Sequence, residues 1–167
     1  MSELQLLLTE FAEGRVALVE RHEASARAVS HYDFNNTYQY VINREETHLS
    51  WLQNALAEYK AVLPPAGVSA LPVPAAPKTS KKFEASAFRG ILEDDTHSLG
   101  AFVEKWRPRV AHVTHARHRN MLNVILGESM EHKRFFEQAA AGFEDLLGRR
   151  TEGAERVGGV LPTRWLE

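Results

Sequence analysis

Five of the seven prolines in this 167-residue chain crowd into one stretch, Leu63 to Lys82 (LPPAGVSALPVPAAPKTSKK), and that distribution constrains the fold more than any other feature. A proline removes an amide donor and fixes φ, so no helix runs through such spacing. The stretch has no helical period of its own and reads as an extended linker between two proline-poor arms. A connection this long is uncommon in a compact domain unless it has work to do. About 20 extended residues reach ~60 Å, whereas a helix of about 28 residues is ~42 Å long, so the linker can travel the whole length of a helical bundle.

Each arm carries two amphipathic segments. In the first, Leu4, Leu8, Phe11, Leu18, Val19, Ala26 and Val29 recur at helical spacing from Ser2 to near Ser30. After a break near His31, with Ser30 or Asp33 as N-cap, a second helix runs to near Val62 with Tyr38, Val41, Leu52, Ala55 and Tyr59 on one stripe, until Leu63-Pro64-Pro65 stops it. The second arm predicts helix three from Phe83 to Trp106, with Phe88, Ile91, Leu92, Leu99 and Phe102 inward and Pro108 marking its end. Helix four then starts between Arg109 and Thr114 and extends to Leu147, with Gly148 as its C-terminal cap.

Two short hairpins and one long crossover predict an all-α fold, a four-helix bundle running up, down, down, up over residues 1–147 with the crossover at 63–82. Residues 148–167 form an irregular tail. Its Val160, Leu161, Trp165 and Leu166 are a liability if left free, so the tail is expected to pack on the bundle or on a neighbouring subunit of a homodimer.

Composition narrows the function classes. An apolar content of 44% and a charged content of 25% suit one globular domain, and 20 Lys+Arg against 22 Asp+Glu leave a net charge of −2. No long-range field recruits nucleic acid or an anionic membrane. The chain has no cysteine, which excludes disulfides, thiolate metal sites, Fe–S clusters and cysteine nucleophiles, so any metal must use N and O ligands. Met1-Ser2-Glu3-Leu4 has no basic leader character, and no apolar run approaches the roughly 18–20 residues a membrane span needs; a cytoplasmic protein is expected.

The unusual feature is polar. At ~100° per residue, the apolar stripe of helix two centres between Glu45 and His48, so both point into the core one turn apart while Arg44 and Glu46 point away. On helix three Asp95 lies within about 20° of the stripe centre. On helix four Met121, Ile125, Phe136, Ala139 and Phe143 define a face on which His132 is central and Glu128 lies to one side, spaced i, i+4. Arg15 and His22 fall on the apolar face of helix one. His112, His115 and His118 fan over ~120°, and only His118 approaches the core.

Unpaired charges out of water cost several kcal/mol each, so something must compensate this set. A divalent cation would, since carboxylates and neutral imidazoles are what Fe, Mn and Zn accept without thiolates, and Glu45-x-x-His48 matches the Glu-x-x-His device of bundle helices. A metal-free network of ion pairs and hydrogen bonds, neutralised by Arg15 and His22, is the other reading.

Over Ser2 to Leu147 these residues resemble the ferritin-like superfamily, the rubrerythrin and bacterioferritin kind of bundle. Arg44-Glu45-Glu46-Thr47-His48-Leu49-Ser50-Trp51-Leu52 is similar to that family's second-helix ligand motif, and Gly127-Glu128-Ser129-Met130-Glu131-His132 to its fourth-helix one. The resemblance implies a divalent metal, Fe first with Mn or Zn as alternatives. It implies Glu45, His48, Asp95, Glu128 and His132 as ligands, with His22, Arg15 or Glu20 as outer partners or substitutes, and an oxidase, peroxidase or other redox role. Ser129 stands where the family has a glutamate, and helix one turns His22 inward instead of a carboxylate, so one metal or an altered pair stays open. A second resemblance, to DinB-like metal-dependent bundles, rests on His48 and His132 with Glu128 in place of a third ligand and implies a thiol transferase. Without a metal, the alternative is a non-catalytic bundle acting as an oligomeric or interaction module.

Overall fold

The computed structural model describes residues 1–75, 77 and 84–148. The proposed packing of Val160, Leu161, Trp165 and Leu166 lies outside the described residues. Four long helices and one short 3₁₀ turn, and no strand, make up the described chain: α1 (Glu3–Ala28), α2 (Tyr32–Ala57), the turn Ala85–Phe88, α3 (Arg89–Ala111) and α4 (Ala116–Ala140). No described helix is long and apolar enough to cross a membrane.

Local chemistry sets the helix ends. Ser2 caps α1 by accepting the Gln5 amide at 3.1 Å. The caps of α2 and α4 are histidines: His31 Nδ1 faces the Phe34 amide and His115 Nδ1 the His118 amide. The spans differ from the sequence expectation on three helices, and α3 begins at Arg89, after the 3₁₀ turn Ala85–Phe88, rather than at Phe83. Helix two ends at Ala57, not near Val62, because Lys60 adopts a left-handed φ of 57° and Ala61 N–H returns to the Leu56 carbonyl at 3.0 Å. Helix four begins at Ala116 and ends at Ala140 instead of Leu147: Gly142, at φ 94°, closes the end with Phe143 N–H donating to the Gln138 carbonyl, so Gly148 is not its cap. Phe143, expected inward, is 62% exposed. Helix three continues through Pro108 to Ala111. The missing proline donor falls in the last turns, where buried Trp106 and Val110 hold the helix against its neighbours.

The helices associate as α1 with α2, α3 with α4, α1 with α3 and α2 with α4. Apolar side chains fill both ends of the interior. At one end Phe11 meets Phe102 and Trp106 edge-on, each at 5.0 Å between centroids. At the other, Tyr38 lies 4.7 Å from Phe136, with Phe34 and Phe88 fully buried beside the same apolar core. Polar side chains occupy the layer between.

The part of the linker that is described, residues 63–75, is tied to α1. Gly67 N–H donates to Glu20 at 3.1 Å, the Ser69 hydroxyl to Glu13, and Arg21 to the Pro72 carbonyl.

Two glycines test this packing. Gly127 is exposed on α4 with nothing within 4 Å of a built Cβ, so Gly127→Ala is expected to stabilise the chain by about 0.5–1 kcal/mol through helix propensity alone. At Gly14 a Cβ would lie 3.0 Å from the Phe102 ring, so Gly14→Ala should show no such gain in thermal denaturation.

Candidate functional site

Arg15 lies at the centre of the polar layer, fully buried, and extends from α1 across the bundle. One terminal nitrogen donates to Glu45 Oε2 at 3.0 Å and approaches His48 Nδ1 at 3.1 Å; the other donates to Ser129 Oγ at 2.9 Å. The ring of Phe102 lies against the guanidinium, 5.1 Å from centroid to Cζ. The Ser129 hydroxyl donates to the Ile125 carbonyl at 2.7 Å, which leaves its lone pairs to Arg15.

The partners assign the His48 tautomer. Arginine only donates, so Nδ1 holds the lone pair and Nε2 carries the proton, which it donates to Glu128 Oε2. Burial, with Arg15 adding to it, lowers His48 to about 4, consistent with a neutral ring. Glu128 and Arg44 form the outer end of the network: their side chains are 25% and 34% exposed and meet at 2.7 Å. Burial alone would raise the Glu128 carboxyl, but bonds from Arg44 and His48 bring it below its usual value.

On the other side of Arg15, His22 Nδ1 donates to Glu45 Oε1 at 2.5 Å. Burial alone would raise Glu45; His22 and Arg15 more than offset it, and the carboxylate is held below its usual range. His22 Nε2 lies 4.0 Å from Asp95 Oδ1. Asp95 accepts from Arg21 Nε at 2.9 Å and from the Tyr38 hydroxyl at 2.5 Å. Burial and this carboxylate together push the Tyr38 phenol well above its usual value, so it remains a donor.

The residues singled out in the sequence therefore separate into three groups. Glu45, His48 and Glu128 gather around Arg15, Asp95 joins Arg21 and Tyr38, and His132 stacks on His48 at 6.3 Å with its Nδ1 buried and without a hydrogen-bond partner among the described residues. Glu20, an alternative ligand on the sequence reading, holds the linker through Gly67 instead. Sequence reasoning missed Arg21, whose side chain is only 5% exposed, and took Arg44 to point away although it folds over to Glu128. Long, flexible cations reach partners that a wheel based on Cα directions does not place. Tyr38 sits on the apolar stripe in the sequence and its ring packs there, but its hydroxyl belongs to the network.

A divalent metal does not fit this donor set as the side chains stand. Both His48 nitrogens and both Glu45 oxygens are engaged, and a guanidinium, which cannot ligate, lies where their lone pairs converge. Among the described residues, ligand atoms from three side chains come within 4.8 Å of one another only at His31, Asp33 and Glu144. That group surrounds the N-terminus of α2, whose dipole favours anions, and His31 Nδ1 is committed to the helix cap. No family model matches the chain, and no curated protein or solved structure matches it.

The network has a pH signature. Burial lowers His132 as well as His48 to about 4, below the ordinary 6.5. The unfolded chain then binds more protons than the native one between these values, so this contribution is complete above about pH 6.5 and is lost as pH falls toward about 4. Each histidine contributes at most about 1.4 kcal/mol per pH unit in that window. Urea denaturation across the window should show this fall, and His132→Phe should make it shallower.

Proposed function

We propose that this chain is a bundle of the ferritin-like type in which a buried arginine stands in for the metal, and that it acts as a non-catalytic interaction module. The observation that carries the reading is the Arg15 guanidinium, bonded at once to Glu45, His48 and Ser129. All three belong to the stretches that resemble metal-ligand motifs, and Ser129 stands where the fourth-helix motif has a glutamate. Charge balance supports it too: the guanidinium groups of Arg15, Arg21 and Arg44 pair with Glu45, Asp95 and Glu128, so a divalent ion added to the layer would bring two uncompensated charges into it.

The chain path belongs to the same proposal. An up, down, down, up order with the proline-rich crossover between α2 and α3 is supported by ion pairs that join α1 to α3 in opposite senses, Glu10 with Arg109 and Arg21 with Asp95. The pairs joining α2 to α4 run the same way, Arg44 with Glu128 and Glu58 with Arg117. A DinB-like thiol transferase needs an open metal position, and His48 has no free ring nitrogen to help form one.

Two measurements test the reading. The purified chain should hold no stoichiometric Fe, Mn or Zn and take up none on titration; stoichiometric metal lost in the His48→Ala, His132→Ala double variant overturns it. Arg15→Leu should cost about 3–5 kcal/mol, because Glu45 loses its arginine and keeps only His22 against its buried charge, and Glu45→Gln added to it should recover part of that loss. A metal site that merely tolerates Arg15 nearby would instead gain metal affinity in Arg15→Leu.

A further inference from the structure

Outside the polar layer, a groove of about 530 Å³ opens between α1 and α3 and is walled on a third side by the linker. That size is typical of small-molecule sites. Its floor is apolar and owes its depth to small residues: Gly14, Ala17 and Ala101 stand beside Leu18 and Phe102, with Leu71 contributed by the linker. At Gly14 any side chain would meet the Phe102 ring, so the absence of a Cβ there keeps the floor open. The linker wall is held by the bonds from Ser69 to Glu13 and from Arg21 to the Pro72 carbonyl.

The two helical walls carry opposite charges, Glu13 and Lys105, that no described residue pairs with an opposite charge. On α1, Glu13 is bonded to the Ser69 hydroxyl, a neutral donor, and has no cationic partner among the described residues. On α3, Lys105 has no carboxylate partner among the described residues; its ammonium rests 5.2 Å over the Trp106 ring. The neighbouring Glu10 is already paired with Arg109 at 2.7 Å. An unpaired anion and an unpaired cation therefore flank an apolar trough, and an ion of either single sign would satisfy one wall and be repelled by the other.

We propose that this groove binds a small zwitterion with a large apolar side group, of the amino-acid class: its ammonium toward Glu13, its carboxylate toward Lys105 and its side group on the Gly14–Phe102 floor. The groove shares Phe102 and the Arg21-held linker with the polar layer, but its charged groups, Glu13 and Lys105, stand outside that network, and the proposal does not rest on whether the layer holds a metal.

The test uses the full chain and three probes that share a phenyl body, L-phenylalanine, 2-phenylethylamine and 3-phenylpropionate, titrated calorimetrically up to millimolar concentration. L-Phenylalanine should bind several-fold more tightly than either singly charged compound. Lys105→Gln should weaken L-phenylalanine and 3-phenylpropionate about three- to five-fold and spare 2-phenylethylamine, and Glu13→Gln should do the reverse. Ala101→Leu, at the solvent-exposed edge of the floor, should abolish binding of all three with the thermal midpoint unchanged. Binding of none of them overturns the proposal. So does binding that is equal for the three probes or indifferent to both charge variants.

Discussion

A guanidinium and a carboxylate removed from water at the centre of a helical bundle, Arg15 against Glu45, set the terms for everything around them. Each ion loses several kcal/mol of solvation on burial, and the attraction between them repays it only with good geometry and with the remaining donors and acceptors satisfied. That requirement accounts for the neighbours. Ser129 takes the second guanidinium nitrogen, His22 the second carboxylate oxygen and His48 the lone-pair position beside them, while Phe102 covers the guanidinium. The apolar layers built on Phe11 and Trp106 at one end and on Phe34 and Phe136 at the other exclude water, which strengthens every bond in between.

The layer is ordered from one side of the bundle to the other. It begins at the partly exposed Arg44–Glu128 pair and passes through neutral His48 to Arg15, Glu45 and His22, whose Nε2 lies 4.0 Å from Asp95. Arg21 then carries it out to the linker at Pro72. Each of its arginines meets a carboxylate, Arg44 with Glu128, Arg15 with Glu45 and Arg21 with Asp95. The last pair ties the linker to the core: Arg21 binds Asp95 and the Pro72 carbonyl with the same side chain, and the wall of the α1–α3 groove depends on that double role.

Much of the layer was legible in the sequence, because helical periodicity is a strong signal over 25 residues. Glu45, His48, Asp95 and His132 are buried where the wheel puts them, and Arg15 and His22 lie on the core face of α1 as read. The helix ends were less legible. Gly142 and Gly148 are equivalent as letters and both adopt a left-handed φ, 94° and 62°; which of them closes α4 is settled by where Phe143 N–H finds the Gln138 carbonyl. Pro108 reads as a stop, yet burial of Trp106 and Val110 carries α3 past it.

The sequence by itself determined that the chain is all-helical, that ionisable residues stand on its apolar faces and that thiolate chemistry is closed to it, because periodicity and composition are properties of the string. Only the tertiary structure decided how those ionisable residues pair. A wheel gives the direction in which a side chain leaves its own helix, but not which of five possible partners on three other helices lies at hydrogen-bonding distance. Arg15 could as well have capped one carboxylate at the edge of the layer. Its length, and the small Ser129 opposite, let it reach the centre and bind Glu45 and His48 together.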